Sequence, residues 1–340
     1  MKTTKTTLLS RSLGKYFTEY LPAVRGMSPH TQSSYRDSIV LLLRFLCTRL
    51  RLHPTALDLE HVTVDGVLSF LDYLEEERHN GVATRNVRLA AIRGFFSYVG
   101  SCYPERSHEV QPILAIPVKR SGPQKPIDYL DDEELGALFA LIDRTHTKGR
   151  RDHALFAFMF NTGARVQEVL DVRACDLQLG RPSLVRLKGK GRKERTCPLW
   201  PQTAALLKEL LAERQLEPRS AEKLFVNGRG EALTRFGVRY LLSTYIDAAG
   251  KICPSLQGKR IHPHSVRHST AVSLLTAGVD LYSISQWLGH ASMNTTGRYA
   301  ALDLKMKRRI LSRAKPKGSA SYSQSKWRRD PNIIEWLESL

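Results

Sequence analysis

The sequence predicts a mainly helical chain of two domains, with one small β-hairpin in the second. Three observations carry that prediction. Apolar residues recur at helical spacing through the first hundred residues and again beyond Leu130. Between them, the stretch PERSHEVQPILAIPVKRSGPQKPID breaks the pattern with prolines. Only SLVRL and ERTCPL, flanking the glycine-containing KGKGRK, have the look of paired strands. A length of 340 residues also favours two cores over one.

In order along the chain, the pattern is helical from Arg11 to about Val99. Ser28 and Pro29 mark a helix start, a capping hydroxyl followed by a ring that needs no N–H partner. VDGVLSFLDYLEEER and ATRNVRLAAIRGFFSYV form two further helices, separated by the turn signal Asn80-Gly81. This first domain is assigned residues 1–110, and an extended linker residues 111–127; the irregular composition itself begins at Tyr103. The second domain, 128–313, opens at Leu130 to Glu134, whose carboxylates suit a helix N-terminus. HALFAFMFNTG reads as a buried helix ending at Gly163, followed by a helix bearing Arg165, Glu168 and Val169, then the hairpin, then helices to about Ser312. In the tail, 314–340, a polar stretch precedes WRRDPNIIEWLESL. Its apolar side (Ile333, Ile334, Trp336, Leu337) needs something to bind, on its own domain or on a neighbouring subunit.

Composition narrows the partner. Fifty-two Lys and Arg against 33 Asp and Glu leave a net charge of +19, which favours a polyanion whose condensed counterions are released on binding. The five cysteines are dispersed without a C-x-x-C pair, so neither a disulfide framework nor a zinc site is expected. The N-terminus lacks the apolar core of a signal peptide, and no apolar run approaches the ~20 residues of a membrane span. The expectation is a cytoplasmic protein without membrane association.

Chemistry concentrates in HPHSVRH (His262 to His268) and LGHASMNTTGRY (Leu288 to Tyr299). His264 and Arg267, three apart, share one helix face; His290 and Tyr299 follow. With Arg165 in TGAR and Lys190 in the KGKGRK turn, the set suits nucleophilic attack on a phosphodiester. Two arginines from distant positions can clamp both non-bridging oxygens and stabilise the charge that builds in the transition state. Tyrosine, with an ordinary pKa near 10, needs cations and a histidine acceptor to become a nucleophile. His264 or His290 is placed to serve. Lys190, between two glycines, can reach the leaving oxygen as a general acid. Arg85, Arg88 and Arg93 in the first domain, and Lys188, Arg192 and Lys193 around the hairpin, are candidates for contact with the DNA backbone.

The ordered set TGAR…E, KGKGRKER, HPHSVRHS and LGHASMNTTGRY resembles the tyrosine recombinase (phage integrase) family. SPHTQSSYRDSIVLLLRFL and ATRNVRLAAIRGFFSYV resemble its helical, SAM-like core-binding domain. The resemblance covers about Leu13 to Leu311. It implies a two-domain C-shaped clamp around duplex DNA, hinged at the proline-rich segment. Arg165 and Arg267 become the arginine pair, Lys190 the hairpin lysine, His264 and His290 the two histidines, and Tyr299 the nucleophile. Glu168 and His268 become supporting residues. It further implies a 3′-phosphotyrosyl intermediate, with no cofactor and no obligatory metal. A homotetramer on paired recombination sites would exchange strands, with the tail helix passing between subunits and other recombinases of the same mobile element as further partners. In a bacterial cell the protein would be nucleoid-associated.

Two rivals remain. A type IB topoisomerase shares the chemistry but acts as a monomer and reseals the same strand. A DNA-binding accessory factor would keep the fold without the reaction, and the complete catalytic set weighs against that. A metal-dependent nuclease is weaker still, since no carboxylates lie at ligand spacing from the histidines.

Overall fold

The computed structural model describes residues 7–120, 122, 127–189 and 193–289. Its contacts divide the chain into two compact units, Met1–Lys125 and Pro126–Leu340.

In the first unit, α1 (Leu8–Lys15) runs directly into a π-helical stretch, Tyr16–Val24. Then come α2 (Pro29–Leu50), α3 (Val64–Glu76), α4 (Val82–Cys102) and α5 (Ser107–Ala115). Ser28 caps α2, its hydroxyl accepting from Thr31 N at 3.3 Å, with Pro29 in the first turn as its missing donor permits. Thr63 caps α3 in the same way. Ile39, Leu42 and Leu46 of α2 and Val67, Phe70, Leu71 and Leu74 of α3 interdigitate with Leu89, Ile92, Phe95, Phe96 and Val99 of α4. The buried positions recur at three and four residues, which is what a helix needs to present one apolar face.

α5 corrects the sequence reading. The stretch from Tyr103 was expected to be extended, yet it forms a 3₁₀ turn, Pro104–Arg106, and then a helix containing Pro112. Pro104 occupies the first position of its turn, where no N–H partner is required. An interior proline costs roughly 3 kcal/mol. Val110, Ile113 and Ile116 are buried in the core against α4, and at about 1.5–3 kcal/mol for each such side chain their burial outweighs that cost.

The second unit begins with α6 (Asp132–Ala140), where Asp131 and Glu134 form a reciprocal capping box. α7 (Thr147–Thr162), α8 (Val166–Asp171) and a three-stranded antiparallel sheet follow: β1 (Leu177–Gln178), β2 (Leu184–Lys188) and β3 (Glu194–Pro198), in the order β1-β2-β3. The hairpin pairs Leu184 with Pro198 through Lys188 with Glu194, and Gly189 N donates to Lys193 O at 2.8 Å beside the turn. α9 (Pro201–Glu213), α10 (Arg235–Ala249), α11 (Pro263–Thr276) and α12 (Leu281–Leu288) complete the described part. Leu155, Phe156, Phe158 and Met159 of α7 lie at the centre of the core, against Leu207 of α9, Val238 and Leu242 of α10 and Val185 and Leu187 of β2. The two-residue β1 was not anticipated. Among the described residues, no helix is long and apolar enough to cross a membrane.

Candidate active site

Four elements of the second unit converge at the end of α7. That helix stops at Gly163, whose left-handed backbone (φ +55°) turns the chain toward Arg165. A Cβ at Gly163 would lie 2.3 Å from Leu288 Cδ2, so the turn packs directly against the last residue of α12. Asn161 fixes the same place: its amide donates to Pro198 O at 3.1 Å and accepts from Trp200 N at 2.8 Å, while its carbonyl accepts from Trp287 Nε1 at 3.1 Å.

Arg165 caps α8. Its backbone N–H donates to Glu168 Oε2 at 3.1 Å and its Nη1 to Glu168 Oε1 at 2.8 Å. The Glu168 side chain is only 4% exposed whereas that of Arg165 is 39% exposed, so the carboxylate is sealed and the guanidinium reaches solvent. Burial alone would push the Glu168 carboxyl up. Hydrogen bonds and charge from Arg195 and Arg165 outweigh it and hold the carboxyl below the ordinary carboxylate range.

The segment HPHSVRH divides its labours along α11. His262 is the cap, its Nδ1 accepting from Ser265 N at 3.2 Å while Ser265 Oγ accepts from His262 N at 3.3 Å. Pro263 opens the helix, and His264 stands exposed in the first turn. Its ring meets His268 edge-on at 4.7 Å. Arg267, 1% exposed, donates from Nη1 to Gly163 O and from Nη2 to Leu288 O, each at 2.7 Å. These bonds orient the guanidinium plane and bring Arg267 to the backbone two residues from Arg165. Arg165, Glu168 and Arg267 are therefore brought to one region, and His264 and His268 share α11 with Arg267. Lys190, Arg192, His290 and Tyr299 lie outside the described residues.

A further residue belongs to this region that the sequence reading did not single out. Arg195 on β3 donates from Nη2 to Glu168 Oε2 at 2.8 Å and from Nε to Trp287 O at 3.1 Å. The signal was strand alternation: Arg195 and Cys197 turn inward while Glu194 and Thr196 face out. A basic residue on an inward face requires a partner. The other tyrosines near the site in sequence have ordinary situations. Tyr240 and Tyr282 are exposed, and Tyr245 donates to Asp152 Oδ2 at 3.1 Å, with burial first and Asp152 next pushing its phenol up to about 12.

The candidates for contact with DNA backbone separate clearly. Lys188 is half exposed, with Nζ 3.9 Å from Asp176 Oδ1, and Lys193 is exposed beside the turn. In the first unit Arg88 donates to Ser38 Oγ at 3.0 Å and is half-buried. Arg93 lines a cavity of about 410 Å³ with Tyr16, Tyr20, Arg25 and Tyr35. Arg85 does not suit the task foreseen for it. Its side chain is 9% exposed and its Nε lies 3.3 Å from Glu75 Oε2, because position 85 falls on the same helix face as the buried Leu89 and Ile92.

A helical unit is thus followed by a mixed unit in which Arg165, Glu168 and Arg267 meet around the end of α7. The chain belongs to the phage integrase family, and so to the tyrosine recombinases: residues 128–306 match that family, and residues 15–100 match the phage integrase N-terminal SAM-like domain. It is 40% identical over 337 residues to integrase/recombinase y4rC of Sinorhizobium fredii, covering 99% of this chain and 100% of that protein. It is 30% identical to tyrosine recombinase XerC of Syntrophus aciditrophicus, covering 91% and 98% respectively. Among solved structures the fold is similar to that of XerH site-specific recombinase bound to palindromic difH substrate, with a TM-score of 0.68 and 24% identity, covering 91% of this chain and 90% of that one. A lambda integrase dimer bound to a COC′ core site shares the fold at a TM-score of 0.62 and 16% identity, covering 84% of this chain and 96% of that one.

Proposed function

We propose that this protein is a site-specific recombinase of a mobile element that cuts and rejoins duplex DNA through a 3′-phosphotyrosyl intermediate. The observation that carries the reading is the meeting of TGAR and HPHSVRH: Arg267 holds the Gly163 carbonyl at 2.7 Å, two residues from the half-exposed Arg165. Two guanidiniums from distant positions arriving together suit the two non-bridging oxygens of one phosphate.

In the proposed reaction the Tyr299 hydroxyl attacks phosphorus while its proton passes to a histidine, His264 or His290. The bond from phosphorus to the 5′ oxygen breaks, and that oxygen takes a proton from Lys190. The phosphorus becomes joined to tyrosine, so the energy of the diester is retained. The 5′-hydroxyl of a partner strand then attacks the phosphotyrosine, releasing Tyr299. Arg165 and Arg267 stabilise the added charge on the equatorial oxygens, and Glu168 holds Arg165 in place. Lys188, Lys193, Arg192, Arg88 and Arg93 contact backbone phosphates, which fixes register without reading sequence. The domain limits follow the assignment 1–110, 111–127, 128–313 and 314–340, with helix α5 extending the first domain into the former linker. Four copies on two sites, joined by the 314–340 tail, make the working unit. The similarity to integrase/recombinase y4rC supports integration of a genetic element as the setting.

The test is covalent capture. The protein is incubated in EDTA with a nicked duplex carrying the site it selects from a random-sequence library, and the adduct is mapped by mass spectrometry. A DNA-linked peptide containing Tyr299, absent in Tyr299→Phe, is the expected result. An adduct on another residue, or one that survives Tyr299→Phe, would overturn the assignment. Resealing of the cut strand without exchange between two sites would instead identify a topoisomerase.

A further inference from the structure

We propose that Arg195 is a positioning residue for strand cleavage: it sets Arg165 through Glu168 and fixes the chain where it leaves α12 toward His290. The inference rests on the reading above, in which Arg165 and Arg267 hold the scissile phosphate.

Arg195 lies on β3, in the same hairpin as Lys190, with its side chain 14% exposed. One edge of its guanidinium meets Glu168 Oε2 at 2.8 Å. The other Glu168 oxygen takes Arg165 Nη1 at 2.8 Å. A single sealed carboxylate thus spans two guanidiniums, and its orientation is transmitted to the one that reaches solvent. Without Arg195, Glu168 Oε2 keeps only the Arg165 backbone N–H at 3.1 Å, and the buried carboxylate loses the charged donor that ties it, and through it Arg165, to β3.

The Nε of Arg195 makes the second link, to Trp287 O at 3.1 Å. The last carbonyls of a helix have no partner within it and must be satisfied from elsewhere. At the end of α12 the task is shared. Arg195 takes the carbonyl of Trp287 and Arg267 takes that of Leu288. Two arginines from different elements thereby hold adjacent carbonyls of the turn that leads to His290. Gly289 completes the fit. Its φ is +66°, and a Cβ there would sit 3.1 Å from Arg195 Cδ and Nη1. The glycine of LGH is therefore favoured by the left-handed turn, with Arg195 lying close across it. Lysine cannot replace this residue, because one ammonium lacks the planar fork that reaches a carboxylate and a carbonyl on different elements.

A plain ion pair would make a different set of demands from a positioning group, and the two are separable by experiment. Arg195→Lys, Arg195→Gln, Glu168→Gln and the double variant Arg195→Gln/Glu168→Gln are compared with the parent protein, all as full chains. Each is given the nicked duplex described above at saturating concentration, and single-turnover adduct formation, DNA affinity and Tm are measured. Misplacement of reacting groups by about 1 Å costs on the order of 10² in rate. That loss is expected in both Arg195 variants, with Kd for the duplex within about twofold of the parent. The double variant should be slower than Glu168→Gln by less than the loss in Arg195→Gln alone, since the two changes share the route through Arg165 and only the link to Trp287 O is separate. Parental cleavage in Arg195→Lys would show that charge alone suffices and would overturn the proposal. So would losses that multiply in the double variant, or a slow rate fully accounted for by weaker DNA binding. Should Arg195→Gln fail to fold, Arg195→Lys carries the comparison. A parent protein that forms no adduct would instead remove the phosphodiester reading, leaving the two failures distinguishable.

Discussion

Each unit holds one carboxylate between two cations, and the two arrangements end in opposite places. In the first unit Glu75 takes Arg85 at 3.3 Å and Lys119 at 2.9 Å; in the second Glu168 takes Arg165 and Arg195, each at 2.8 Å. The charge arithmetic is the same. Exposure differs: around Glu75 the arginine is sealed, at 9%, and a flexible lysine faces water at 54%. Around Glu168 the carboxylate is sealed and an arginine is presented, at 39%. A half-exposed guanidinium whose far edge is anchored is suited to meet a phosphate. One sealed against its own carboxylate, as Arg85 is against Glu75, contributes to the fold. The role of an arginine here follows from which member of its cluster reaches solvent.

The comparison can be strained hardest at two glycines. At Gly163 an added methyl meets Leu288 at 2.3 Å in a backbone with φ +55°, whereas at Gly66, in the first unit and without a left-handed backbone, it meets Leu46 Cδ2 at 3.0 Å and Thr63 Oγ1 at 3.3 Å. Overpacking together with a left-handed alanine should make Gly163→Ala cost roughly 2–5 kcal/mol, and Gly66→Ala should cost no more than about 1 kcal/mol. Thermal unfolding of the two variants reads this directly; equal losses would mean that the end of α7 can shift.

Next in size is the sealed carboxylate. Replacing Glu168 with Gln removes charge from two hydrogen-bonded arginines, at about 1.5–3 kcal/mol near neutral pH. The sign with pH follows from its depressed folded value. The stabilisation is fully present above the unfolded carboxylate range and is lost as pH falls through the lower folded one. The parent should therefore lose stability toward acid more steeply than Glu168→Gln, and parallel profiles would contradict the shift. The smallest effect is at Lys119. Its exposed pair with Glu75 should be worth less than about 1 kcal/mol, fading in high salt. A larger loss in Lys119→Ala would mean that Arg85 does not neutralise Glu75 by itself.

Much of this was legible because it is local. Ser28-Pro29, the carboxylates at Asp131 to Glu134 and the glycine after Thr162 announce helix ends through backbone groups that any sequence must satisfy. The hairpin declared itself through alternation. What escaped depends on tertiary contact. α5 was hidden by prolines whose cost only the core against α4 offsets, and β1 is too short to show a period. Arg195 was masked as one more cation in KGKGRKER, although its parity with Cys197 pointed inward. Arg85 was read as a phosphate contact, although its spacing to Leu89 and Ile92 already placed it on the buried face. The His262 cap was unread for a related reason, because imidazole is an uncommon capping group.

The most direct measurement sets Arg165→Ala beside Arg85→Ala on one nicked duplex, following adduct formation per folded molecule. Removal of one preorganised donor to a developing charge costs on the order of 10²–10³ in rate. Arg165→Ala should lose that much with its fold intact. Arg85→Ala should lose stability, yet cleave at the parental rate once folded. Comparable cleavage losses in the two, or parental cleavage by Arg165→Ala, would contradict the assignment of the exposed arginine to the phosphate and the sealed one to the fold.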